Sequence, residues 1–246
     1  MYGQPFFDLQ LQFARKVAAL SGLPFADALL RYTNLYVRFG LGRDFDPDHP
    51  AWRQYVAGLP GGEDIAEWTY RFYLTRPETE PPGIVATCGC FSYARLGEDR
   101  VRLHFRNAES DERSALGSDR RSDRLADLAA LFAHLRRTVD GPVRVVGASW
   151  LYNLDAYRRL FPDAYLATAR VAARRFQHMP LWGQFLDRHG KVRESMARPF
   201  LDQLERHSSL DTLERCFPLQ VLTLEAPAPV FYEFYRIETV GTHARG

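Results

Sequence analysis

Apolar residues recur at spacings of three and four through the first third of the chain. Phe6, Leu9, Phe13, Val17 and Leu20 predict an amphipathic helix over residues 5–22, with Gly22 as its C-cap. Ala28, Leu29, Tyr32, Leu35, Tyr36 and Phe39 predict a second, unbroken helix from Phe25 to Phe39. Pro50-Ala51-Trp52 opens a third that ends near Leu59, before Pro60-Gly61-Gly62. Ile65–Tyr73 reads as a fourth. The inner faces of this region are aromatic.

The period changes after the Pro-rich stretch at 75–83. Ile84–Leu96 reads as a strand with room for a bulge at Gly89, and Arg100–Arg106 alternates as RVRLHFR. Together they predict a β-hairpin. A polar loop at 107–122 leads to a helix over Asp123–Thr138, capped by Ser122. VRVV at 143–146 is a β-branched strand that runs through Gly147, Ala148 and Ser149 into Trp150. Asn153 reads as the N-cap of a helix reaching Phe161 and stopped by Pro162. Tyr165–Ala172 reads as a strand, 181–193 as a strand and turn, Glu194–Arg206 and Leu210–Cys216 as helices, and Leu219–Leu224 as a last strand. The aromatic segment 231–237 is suited to docking on the core, and the terminal GTHARG to fraying. The pattern predicts an α/β (α+β) fold in which an N-terminal helical layer, 1–80, precedes a mixed sheet with helices packed on it, 81–246.

Composition narrows the functional classes. Of 246 residues, 46% are hydrophobic and 25% charged, an ordinary globular balance. No apolar run is long enough to predict a spanning helix, and the N-terminus has no signal-peptide pattern. Three cysteines fit a reducing compartment, so the expected location is cytoplasmic. The net charge is only +2, and acidic residues interleave with the arginines, so neither nucleic acid nor membrane is an expected partner. Lys16 and Lys191 are the only lysines; the other basic residues are arginines, the better side chain for planar anions. A small-molecule substrate is the expected partner, and the oligomeric state is left open.

Candidate chemistry clusters around the second half of the hairpin and the strand ending at Ser149. Arg102, His104 and Arg106 share one strand face, with Asn107 and Glu109 beyond. A histidine near a carboxylate suits acid–base work near neutral pH, and so does a solvated polar face. Ser149 sits in GASWLY, which is not the G-x-S-x-G of a nucleophile elbow. It reads as a hydrogen-bonding residue at a strand end, beside Trp150, Tyr152 and Asn153. Trp182 and Gln184 in WGQF suit a pocket wall or a tight turn. Ser118, Arg120 and Arg121 stand at the start of a helix, where amides and guanidinium groups can hold phosphate, although Asp119 and Asp123 oppose an anion. Cys88 and Cys90 could meet a metal with His104, but no second ligand pair has usable spacing, so no metal is expected.

The run RVRLHF, a polar loop, a helix and a strand closing in SWL resembles the C-terminal domain of GNAT-like acyltransferases over about residues 84–170. The whole chain is also similar to a group of conserved bacterial proteins. The resemblance implies an acyl-CoA cofactor whose pyrophosphate rests on the start of the helix Asp123–Thr138, near Ser118, Arg120 and Arg121. It implies a thioester lying between splayed strands near His104–Glu109 and Gly147–Asn153, and acyl transfer to a small amine. His104 or Glu109 would deprotonate the acceptor, and Tyr152 or Tyr157 would protonate the thiolate. Arg106, Ser149, Trp150, Asn153, Trp182 and Gln184 would line the substrate pocket. The glycine-rich cofactor loop of that family is absent from ALGSDRRS. The alternative is a non-catalytic module on the same fold, binding a small molecule or a protein.

Overall fold

The first helix, α1 (Gln4–Ser21), follows the expected apolar stripe and stops at Gly22, whose φ of 71° closes the last turn. The computed structural model describes residues 1–59, 64–76, 83–109, 111, 113–172 and 181–237. Within them, the helix expected from Phe25 to Phe39 is two, α2 (Phe25–Tyr32) and α3 (Leu35–Arg38). Thr33 turns extended, its hydroxyl donates to the Leu29 carbonyl at 2.6 Å, and the Asn34 N–H donates to the buried Gln10 Oε1 at 2.9 Å. A side chain of α1 thus takes a donor that an unbroken helix would have used internally. Two further helices are α4 (Pro50–Gly58) and α5 (Ile65–Leu74). Most of the Pro-rich stretch, 77–82, and the terminal GTHARG lie outside the described residues, as do 60–63.

The chain then forms β1 (Ile84–Cys88), β2 (Phe91–Arg95), β3 (Arg100–Phe105), α6 (Arg121–Thr138) and β4 (Arg144–Ser149). After these come α7 (Asp155–Arg158), α8 (Asp163–Leu166), β5 (Arg170–Val171), α9 (Glu194–Arg206), β6 (Leu222–Pro227) and α10 (Ala228–Phe234). Two compact units result. One is Met1–Pro82 with Ala172–Val221; the other is Gly83–Val171 with Leu222–Gly246. The stretch 172–221, read from sequence as part of the sheet domain, belongs to the helical unit. Its aromatic residues explain this: Phe13 of α1 meets Trp182 at 5.5 Å, Phe217 at 5.1 Å and Phe200 of α9 at 6.0 Å.

The second unit holds a six-stranded mixed sheet in the order β1-β2-β3-β4-β6-β5. β3 and β4 run parallel, joined through α6, and every other neighbouring pair is antiparallel. Phe91, Tyr93, Val101, Leu103, Val145, Leu224 and Ala226 face a core closed by Leu128, Leu131, Phe132 and Leu135 of α6 and by Phe231 of α10. The segment 231–237 docks as expected, with Phe231 stacked on Phe132 at 4.6 Å.

Several local expectations change. Ile84–Leu96 is two strands, so the hairpin is a three-stranded meander. The reversal falls at Gly89, where φ is 53° and a Cβ would collide with the Asp127 carboxylate. Asp127 Oδ2 instead accepts the Cys90 N–H at 3.2 Å. α6 begins at Arg121 after a turn of 3-10 helix, so Ser122 is not its cap. Ser149, not Asn153, caps the 3-10 turn at the end of β4: its Oγ accepts the Leu151 N–H at 3.1 Å. The strand expected at Tyr165–Ala172 shrinks to β5 because Tyr165 sits on a helical turn and points into the core. Residues 182–185 form a 3-10 turn, followed by a single bridge between Leu186 and Val192.

Gly147 of β4 faces two hydroxyl groups. The Tyr152 and Tyr165 side chains share a hydrogen bond of 2.8 Å beneath it, and a Cβ at 147 would strike both oxygens. Gly147→Ala is expected to destabilise the protein by about 1–3 kcal/mol through overpacking, read as a lower urea midpoint. An unchanged midpoint would mean that the tyrosines do not pack there.

Candidate functional site

The parallel ladder between β3 and β4 is short. It joins Arg100 to Arg144, Val101 to Val145 and Arg102 to Val146, and then stops. Beyond it, Leu103, His104 and Phe105 pair only with β2, while Gly147, Ala148 and Ser149 pair only with β6. Among the described residues, each of the two central strands thus has one backbone edge with no strand partner past the ladder's end, and the interval between those edges is the gap. Those edges hold polar groups that a continuous sheet would satisfy.

The gap has two dissimilar sides. On the core side, rings span it. Phe105 meets Tyr157 at 5.6 Å, Tyr157 meets Tyr152 at 5.1 Å, and Tyr152 reaches Tyr165 through their hydroxyls. All three tyrosines are buried. Burial, and then the neighbouring hydroxyls, hold the Tyr152 and Tyr157 phenols well above the usual tyrosine range. The other side is polar. His104 alternates to it with Arg102, opposite Ser92. His104 and Tyr152, expected to work together, therefore stand on opposite faces of the sheet. Ser149, the half-buried Trp150 and the exposed Asn153 lie together at the open end of β4, where Asn153 Nδ2 donates to the Trp150 carbonyl at 2.7 Å. Arg106 is exposed just past β3, its N–H donating to the Cys90 carbonyl at 2.9 Å. Trp182 and Gln184 belong to the helical unit and are buried there. Gln184 Nε2 donates to the Leu181 carbonyl at 2.9 Å, and its Oε1 accepts the Leu219 N–H at 2.9 Å.

The start of α6 is filled by internal ion pairs. Ser118 and Arg121 are exposed there. Arg120 pairs with Asp111, with Asp123 at 3.1 Å and with Glu109 at 3.6 Å. Arg124 is 4% exposed and binds Glu109 at 2.6 Å and Asp127 at 3.1 Å, with Cys90 Sγ also against its guanidinium. Glu109 is thus the shared partner of two arginines. Asp111, hydrogen-bonded by Arg113, has its carboxyl held below the usual range. The carboxylates that complement the α6 dipole are the protein's own.

Arg124 is absent from the residues that sequence reasoning singles out, although a signal exists. It lies 4, 7 and 11 residues before Leu128, Leu131 and Leu135, a charge on the apolar stripe. A charge at such a position needs a buried partner.

On the polar face, Glu225 of β6 receives Arg144 and, at 3.1 Å, Arg100. These two guanidinium groups, Arg144 first, hold its carboxyl below the usual range. Cys88 and Cys90 pack with the core face, away from His104, and burial pushes both thiols up. Among the described residues, no three His, Cys, Asp or Glu side chains gather as a metal site. No helix among them is long and apolar enough to cross a membrane.

No family model, curated protein or solved structure matches this chain.

Replacing Arg124 by Met leaves Glu109 with only Arg120, at 3.6 Å, and Asp127 with only the Cys90 N–H among the partners named here. The expected loss is about 2–4 kcal/mol, below the largest buried-pair effects because both carboxylates keep some water contact. Chemical denaturation measures it, and a loss within error of zero would mean the network is not structural. Glu225 gives a pH signature. Its folded pKa lies below the unfolded value of 4.5, so its stabilisation is full above 4.5 and is lost as pH falls through the folded value. Glu225→Gln should therefore destabilise at neutral pH, with a difference that closes in acid. A difference independent of pH would contradict the pairing.

Proposed function

We propose that the sheet unit is a ligand-binding module, and that a small molecule enters between β3 and β4 past the end of their ladder. The observation that carries this reading is the contrast between that gap and the start of α6. Among the described residues, the gap leaves backbone edges of β3 and β4 without a strand partner. At α6, Arg120 and Arg124 are already engaged by Asp111, Asp123, Glu109 and Asp127. A CoA pyrophosphate would have to displace four carboxylates that the fold itself supplies.

The GNAT-like resemblance supports the architecture of this reading. The strand pair, loop, helix and strand closing in Ser-Trp-Leu correspond to β2 and β3, residues 106–117, α6 and β4. The gap lies where the resemblance puts a thioester. Acyl transfer is the second reading, favoured by that same gap and by His104 on its polar side. It ranks second because Glu109 is held by two arginines and Tyr152 lies on the opposite face. The expected setting is the cytoplasm, where Cys88, Cys90 and Cys216 stay as the thiols seen here. The balanced charge of +2 supports a small molecule rather than nucleic acid as the partner.

Isothermal titration with CoA and acetyl-CoA tests the ranking. No saturable heat is expected from either. Saturable binding that is lost in the Arg120→Ala/Arg121→Ala double variant would place the cofactor on α6 and restore acyl transfer to first rank.

A further inference from the structure

We infer that the polar face of the sheet carries a binding site for the carboxylate or phosphate group of a small molecule, centred on Arg102 and Arg170. This deepens, and rests on, the ligand-binding reading by naming the class of ligand.

Strand register assembles the site. Arg102 of β3 pairs across to Val146 of β4, which pairs to Glu225 of β6. One step back, Arg100 pairs directly with Arg144. One step beyond, Ala148 pairs with Thr223, and Thr223 with Arg170 of β5. These rows line a groove of about 450 Å³ within the sheet unit, floored by Val146 and Ala148. That size lies in the range of small-molecule sites, roughly 300–1,000 Å³, and exceeds what a lone ion needs.

The charge in the groove is one-sided. Among the described residues, its lining has four arginines, Arg100, Arg102, Arg144 and Arg170, against the single carboxylate of Glu225. Like charges placed directly across a ladder repel, so Arg100 opposite Arg144 is unfavourable without a counter-charge. Glu225 supplies one, and both guanidinium groups bind it. That leaves Arg102 and Arg170, which pair with no carboxylate among the described residues. Two guanidinium forks over a floor of small apolar side chains suit a planar or tetrahedral oxyanion, which they can hold by paired hydrogen bonds. Glu225 accounts for Arg100 and Arg144; an anionic ligand accounts for Arg102 and Arg170.

Titration of the full chain with inorganic phosphate and, separately, with succinate tests this, followed by calorimetry and by amide shifts of Arg102, Val146 and Ala148. Saturable binding of at least one probe is expected, and the tighter probe identifies the ligand's head group. Arg102→Gln and Arg170→Ala should each weaken it by about tenfold or more while the circular dichroism stays unchanged. Arg170 lies exposed on the edge strand, so its variant reports even if the Arg102 variant folds poorly. Failure of phosphate, succinate and CoA alike to saturate overturns the site, and so does binding that neither variant alters. CoA titrated in parallel separates the two claims. A CoA signal lost in Arg102→Gln keeps the oxyanion site and removes the reading that the cofactor is gone. Silence toward all three ligands removes the oxyanion site alone.

Discussion

Three residue pairs of parallel ladder hold the middle of the sheet together, and the rest of the functional geometry depends on where that ladder stops. Continuing it would bring Leu103–Phe105 and Gly147–Ser149 to the usual strand spacing of about 4.8 Å. On the core side, the rings of Tyr157 and Tyr152 bridge from Phe105 to Gly147 instead. Gly147 takes part because only a residue without a side chain leaves room for two phenol oxygens against the strand. The aromatic core thus closes the gap from below and leaves its polar side open. The binding proposal rests on the backbone edges that the end of the ladder leaves without a strand partner.

The same unit separates its charges into two groups with opposite characters. At the start of α6, arginines and carboxylates are matched, and the buried Arg124 ties the β1–β2 turn, residue 109 and the helix into one network. A matched network is a structural device: breaking it costs stability and frees nothing for a ligand. On the open sheet face, arginines outnumber carboxylates. An unmatched cluster is where an anion gains most. This difference moves the anion site away from the helix start, where the sequence alone suggests it.

Much of the fold is legible in the sequence. The helical first third, the alternation of RVRLHFR, the apolar face of α6 and the VRVV strand come from periodicity, because each buries one face against a core. The features that escape it are set by contacts distant in sequence. Gln10 breaks a helix 24 residues away. Asp127 fixes a turn at Gly89 that reads as a bulge in one strand. Phe13 recruits Trp182 and Phe217, placing the 172–221 stretch in the helical unit. For the site, the neighbourhood of His104 and Ser149 is readable, but the facing of its residues is not. Tyr152 looks available because it comes just after a strand end, and its burial depends on Tyr157, Phe161 and Tyr165 packing around it. Arg102 can be assigned a face from sequence. That Arg144 and Arg170 join it depends on strand order, which no local pattern encodes.

The ladder between β3 and β4 ends at Arg102 and Val146. Nuclear Overhauser contacts between the two strands test it directly. Contacts are expected across Arg100–Arg144, Val101–Val145 and Arg102–Val146, and none between His104 and Ala148 or Phe105 and Ser149. Contacts continuing through those last two pairs would show an unbroken ladder, and would contradict the gap and the reading built on it.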